Sequence, residues 1–171
     1  MSFFIIYFYF LHILVIGDYM KINFKKLFLY IGITLLIGGI PSIFVMTNNV
    51  YDKLNKPVLS PPGFLFPIVW TILFVLMGIT IYRANYDKGK DFNPNIIYFM
   101  QLIVNALWTP IFFGLNEYLF AFLWLILLFI LVIYMIYKFY YIDHISAYLN
   151  IPYILWLLFA GYLNFSIYLL N

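Results

Sequence analysis

Five apolar runs of about 20 residues each, separated by short polar connectors, leave this chain almost no choice of fold. They lie at about 27–46, 64–84, 94–114, 117–139 and 147–170. A helix rises ~1.5 Å per residue, so each run can cross the ~30 Å hydrocarbon core of a bilayer. Lipid offers the backbone no hydrogen-bond partners, and segments of this length satisfy their own only as helices. The ~10-residue alternating segments of a membrane β-barrel do not occur in the sequence. Composition agrees, since 67% of the 171 residues are apolar and only 9% are charged, more apolar surface than a soluble domain of this size could cover. The expected fold class is an all-α integral membrane protein, a five-transmembrane-helix bundle.

Residues 3–16 are apolar too, but as a helix they would span only about 21 Å, and they lack the basic flank and cleavage site of a secretory signal. Met20-Lys21-Ile22-Asn23 reads more like a beginning. Residues 1–19 are therefore expected to be an upstream start-site extension, or else a short apolar helix, and residues 20–171 a single transmembrane domain. Of the nine Lys and Arg, seven (Lys21, Lys25, Lys26, Arg83, Lys88, Lys90 and Lys138) fall on the N-terminal side of the bilayer and two (Lys53 and Lys56) on the other. That asymmetry predicts a cytoplasmic N-terminus and an external C-terminus in a prokaryotic inner membrane. It also accounts for the net charge of +3 without nucleic acid as a partner. The connector at Leu115–Glu117 is short enough to force the third and fourth helices into an antiparallel hairpin.

The connector at 47–63 differs from the others. Pro57, Pro61, Pro62 and then Pro67 forbid an ordinary helix, and a stiff loop leading into an aromatic helix face reads as the lid of a binding site. In the second helix Phe66, Trp70, Phe74 and Gly78 recur at steps of four, so they share a face. Gln101, Asn105 and Trp108 share a face at steps of four and three in the third, ahead of Pro110, as do Tyr153, Trp156, Ala160 and Asn164, at steps of three, four and four, in the fifth. The amides Gln101, Asn105 and Asn164 should point into the bundle, either as bonds between helices or as the few polar anchors of an apolar pocket. Trp124 is expected in an interfacial belt or facing lipid. Gly38 with Ser42, and Ala106 with Pro110 and Gly114, stand four apart as packing stripes do, for an intrachain contact or a homodimer.

No charged residue lies mid-span, which argues against a proton relay or ion-coupled pump. Asp52, Asp87, Asp91, Glu117 and Asp143 all fall in loops and are expected to be solvated charges. With no Cys, and with His12 and His144 far apart, neither thiolate chemistry nor a metal site is expected. Hydrolase, metalloprotease and phosphate-loop motifs are likewise missing from the sequence.

The run Tyr51-x-x-Leu54-x-Lys56-Pro57, followed by Pro61-Pro62, Phe66-Pro67, Trp70, Met77-Gly78 and Tyr82, resembles the signature of the translocator protein family, also called tryptophan-rich sensory proteins or peripheral-type benzodiazepine receptors. Gln101-Leu102-x-x-Asn105-x-x-Trp108-x-x-x-Phe112-Phe113 is similar to that family's third-helix motif, and Pro152-Tyr153-x-x-Trp156-x-x-Phe159-Ala160-x-x-Leu163-Asn164 to its last. The resemblance covers residues 27–171. It implies a five-helix bundle, often dimeric, that binds porphyrins of the protoporphyrin IX type and related apolar aromatic molecules in a pocket under the first loop. Carried over by position, that pocket comprises Tyr51, Pro61, Phe66, Trp70, Phe74, Asn105, Trp108, Trp156 and Ala160. A sensing or transport role follows, with no cofactor required beyond the porphyrin ligand. The alternative is a light-dependent porphyrin-degrading enzyme in which Trp70 and Trp156 act as redox partners; a ligand-free packing or assembly protein is the third reading. The chain departs from the family in carrying Val50 and Leu59 where tryptophans are usual, and no Lys or Arg follows Leu163 to complete a sterol motif.

Overall fold

The computed structural model describes residues 22–46, 50–86 and 92–171, apart from the side chains of 42–46, 50 and 52. The expectation for residues 1–19 lies outside the described residues. So do His12, Lys21, Asp87, Lys88, Lys90 and Asp91, and the side chains of Ser42 and Asp52. Helix α1 spans Phe24–Met46, α2 Val50–Lys53, α3 Leu65–Ala84 and α4 Pro94–Thr109, which a π-helical turn at Pro110–Gly114 continues. Then come α5 (Tyr118–Ile142), α6 (His144–Tyr148) and α7 (Ile151–Leu170). Five stretches are long and apolar enough to cross a membrane, and no strand occurs among the described residues. Large apolar side chains such as Leu36, Ile72, Ile103, Ile130 and Leu155 are exposed all around the bundle, as expected where the solvent is lipid. The protein is an all-helical, multi-pass integral membrane protein.

Local chemistry sets the helix ends. Asn93 caps α4 by accepting a bond from the Asn95 amide, with Pro94 at the first helical position where its missing N–H costs nothing. Pro110 cannot donate to the Ala106 carbonyl. Instead of stopping, the helix widens there, and the Leu115 amide reaches the Pro110 carbonyl at 3.0 Å. Asn116 then reverses the chain with φ of 57°, a left-handed conformation that asparagine tolerates better than most residues.

Helix α1 lies against α3 and α4, and α5 lies against α4 and α7. The α1–α3 crossing is close because Gly78 has no side chain: a Cβ there would stand 2.6 Å from the Ile31 Cα. Gly38 takes part in the same crossing, and a Cβ on it would land in the Phe74 ring. Gly38 thus serves an intrachain contact. The Ala106, Pro110 and Gly114 stripe does not behave alike, because Pro110 and Gly114 are exposed and a Cβ at Gly114 would meet only Pro110, at 4.0 Å.

Two expectations need correction. Asp143 is not a solvated loop charge. It accepts bonds from Arg83 Nε at 2.8 Å and from a second guanidinium nitrogen at 3.1 Å, and it caps α6 by accepting from the Ser146 amide at 2.9 Å. Burial raises the pKa of this carboxyl, but the Arg83 and Ser146 bonds outweigh burial and hold it below the ordinary carboxylate range. The last turn of α3 delivers a nearly inaccessible arginine, 4% exposed, to this carboxylate. For Trp124 the correction concerns its polar part: the side chain is half-buried, and its indole N–H donates to the Val104 carbonyl at 2.8 Å and ties α5 to α4.

Candidate ligand-binding site

Helix α7 makes close backbone approach to α5, but little to α3 or α4. Long side chains bridge those gaps, and they are the residues singled out by the four-residue spacing. Trp70 of α3 meets Trp156 of α7 edge-on, with ring centroids 6.4 Å apart and planes at 89°. It stacks on Phe74 at 5.3 Å and meets Tyr153 at 6.2 Å. Phe66 contacts Trp156 at 6.0 Å, and Tyr51 from α2 covers Phe66 at 5.2 Å. Edge-to-face packing of this kind matches the positive rim of one ring to the negative face of the next.

The loop closes over this group through its own bonds. The Tyr51 hydroxyl donates to the Pro61 carbonyl at 3.0 Å, and Lys56 Nζ lies 4.3 Å from the Tyr51 ring centre. Tyr51, Pro61, Phe66, Trp70, Phe74 and Trp156 are therefore brought together. Ala160 is half-buried one turn beyond Trp156.

Asn105 and Trp108 are placed differently. Asn105 donates to the Tyr153 hydroxyl at 2.8 Å, and that hydroxyl donates to Gln101 Oε1 at 3.1 Å, a buried chain joining α4 to α7. Trp108 makes no ring contact with Trp70 or Trp156 among the described residues. It stacks on Phe112 at 4.9 Å in a second apolar cluster that includes Leu54 and Ile167, and its N–H donates to Asn164 Oδ1 at 3.1 Å. Asn164 in turn donates to the Tyr118 carbonyl at 2.8 Å. All three amides are buried and all bond between helices.

Tyr153 is the central residue missing from the sequence-based site. It touches Trp70 and organises both amides, and its place on the Trp156–Ala160–Asn164 face was the available signal. Two polar atoms near the rings find no partner among the described residues: the buried indole nitrogen of Trp156 and the hydroxyl oxygen of Ser60, next to Pro61. An unpaired buried donor costs about 1–3 kcal/mol, so these two atoms mark where an acceptor is missing. No group of three or more metal-ligating side chains occurs among the described residues.

The family model described as TspO/MBR family matches residues 30–170. The chain belongs to the TspO/MBR family. It is similar to the Tryptophan-rich protein TspO of Archaeoglobus fulgidus, 39% identical over 153 residues, covering 87% of this chain and 99% of that one. Protein CrtK of Rhodobacter capsulatus is 38% identical over 124 residues, covering 71% of this chain and 78% of that one. The Translocator protein of Homo sapiens is 31% identical over 122 residues, covering 69% and 72%. TspO/MBR membership thus agrees with the resemblance carried by the loop and the three helix motifs.

Proposed function

We propose that this TspO/MBR-family membrane protein binds a protoporphyrin-type tetrapyrrole, or a related flat apolar aromatic molecule, among α3, α4 and α7 beneath the 50–63 loop, in a sensing or transport role. The observation that carries the reading is the buried Trp156 N–H, without a partner among the described residues, within a wall made of Phe66, Trp70 and Tyr51. Ring faces provide affinity at ~25 cal/mol per Å² of apolar surface buried, while one or two polar groups fix orientation. A porphyrin offers both partners, a large π face for the rings and propionate oxygens for the indole donor. Lys56, at the Tyr51 edge of the loop, supplies positive charge where a propionate would emerge. Two similar proteins bear names that speak of sensing or translocation, the Tryptophan-rich sensory protein of Cereibacter sphaeroides and the human Translocator protein.

Titration of the purified protein with protoporphyrin IX, followed by tryptophan quenching, tests this directly. Trp156→Phe keeps a ring and deletes the donor, so affinity should fall about five- to tenfold, about 1 kcal/mol. The Trp70→Ala, Trp156→Ala double variant should lose most of the binding, and undiminished affinity there overturns the site.

The edge-on Trp70–Trp156 pair favours one second reading, light-dependent porphyrin oxidation with dioxygen as oxidant and the two indoles as redox partners. Illumination with and without oxygen, watching the Soret band, separates the two. Bleaching no faster than that of free porphyrin in detergent removes the enzyme. The same proposal places the protein in a prokaryotic inner membrane with the loop outside. Because the chain has no cysteine, single Cys reporters at Lys53 and Lys25 can be labelled with an impermeant maleimide. Protection of Lys53→Cys in intact cells reverses the orientation.

A further inference from the structure

The loop over the aromatic cluster is fastened at a second point, away from the rings. The Asn55 backbone N–H donates to Asn171 Oδ1 at 3.0 Å, and Asn171 Nδ2 donates back to the Asn55 carbonyl at 3.0 Å. One primary amide therefore satisfies both backbone groups of one loop residue, as a neighbouring strand would. The Asn171 amide also reaches the Ile167 carbonyl at 2.9 Å, one turn back, which fixes its orientation. The Asn55 side chain adds a bond to the Leu170 carbonyl at 3.3 Å.

The chemistry follows from two needs meeting. The last carbonyls of a helix lack intrahelical donors, and a loop residue outside any helix or strand has a free N–H and C=O to satisfy. Leu54, the preceding residue, packs into the cluster with Ile167 and Phe112. Four residues before Asn55, Tyr51 lies on Phe66 and donates to Pro61. The segment from Tyr51 to Asn55 thus runs from the candidate site to the end of α7 and is held at both places. Asn55 and Asn171 are both exposed, so their bonds compete with water and can open without unpacking the bundle.

We propose that Asn171 is a positioning residue for the binding site. It holds the loop shut over the aromatic cluster, and opening of the Asn55–Asn171 pair is the step that admits and releases the ligand. This role rests on the reading that the cluster binds a ligand, but its first test does not.

The bonds make an asymmetric prediction: Asn171→Ala removes both backbone contacts, whereas Asn55→Ala keeps them and loses only the bond to Leu170. Hydrogen exchange on the full chain in detergent should show the residue-55 amide exchanging at least tenfold faster in Asn171→Ala and within threefold of wild type in Asn55→Ala. Stopped-flow mixing with protoporphyrin IX should then show association and dissociation both at least fivefold faster in Asn171→Ala, with Kd changed less than threefold. A general weakening of α7 would lower the melting temperature and raise Kd instead. Equal exchange in wild type and Asn171→Ala, or equal effects of the two substitutions, overturns the clasp. Faster exchange with unchanged porphyrin rates overturns the gating role. If exchange behaves as expected but porphyrin does not bind at all, the binding reading fails and the fastening of the loop stands.

Discussion

The two ends of the bundle are held together by different physics. At the loop end, Tyr51, Phe66, Trp70, Trp156 and Phe74 touch through ring edges and faces, and the buried Trp156 N–H finds no acceptor among the described residues. At the opposite end, Arg83 and Asp143 form a two-point ion pair, and the Ser146 hydroxyl donates to Asp143 at 2.6 Å, with the Thr80 carbonyl as a second acceptor for the same proton at 3.2 Å. Asn150 donates to the Ser146 carbonyl at 2.8 Å, and its own buried Oδ1 finds no donor among the described residues. Directional bonds between charges specify a single arrangement. Ring contacts of about 0.5–1.5 kcal/mol each tolerate sliding. One end is fixed by directional bonds, and the other is held by contacts that can shift; on the proposed function, these are the contacts a ligand would replace.

Breaking the polar end should give the largest effect on stability. Asp143→Ala leaves a nearly inaccessible guanidinium without this partner and should cost about 3 kcal/mol, read as a lower melting temperature in detergent with porphyrin affinity changed less than twofold. The pH dependence has a definite sign. The folded-state pKa of Asp143 lies below its unfolded value, so its contribution is complete above about pH 4 and disappears as pH falls through the lower folded value. The gap in melting temperature between wild type and Asp143→Asn should therefore narrow as pH is lowered below about 4, and a gap that widens would contradict the ion pair.

Gly38→Ala sharpens the contrast from the aromatic end. The added methyl lands on the Phe74 ring, which stacks on Trp70, so the expected cost is about 1–2 kcal/mol of overpacking together with a shift in the Trp70 fluorescence maximum. A change in stability alone, with tryptophan emission and porphyrin affinity as in wild type, would show the two ends to be less distinct than their contacts suggest. The smallest effect belongs to neither end. Trp124→Phe removes the bond to the Val104 carbonyl and should cost about 1 kcal/mol while leaving binding alone. Loss of binding there would extend the site to α5.

The fold was legible because membrane helices declare themselves by length and apolarity. The expected spans agree with the helices within a few residues; the largest differences are the extension of α5 to Ile142 and the short α6 before α7. The shared faces of α3 and α7 were legible for a related reason: a period of four on a helix fixes which side chains are neighbours. Partners across helices were not. Arg83 carries the same positive-charge signal as exposed lysines, Asp143 resembles any loop carboxylate, and nothing in the spacing of Trp108 tells that its N–H meets Asn164.

By itself, the sequence determined the solvent, the number of helices, the stiff loop and the faces on which tryptophans and amides lie, because these depend on local spacing and on lipid's refusal of unpaired backbone. Only the tertiary structure decided that Trp70 pairs with Trp156 and not with Trp108, that Asn105 is engaged by Tyr153, and that the loop is tied to Asn171 across a separation of 116 residues. The reason is physical: an amide or indole states that it needs a partner, but helix packing determines which one stands within 3 Å.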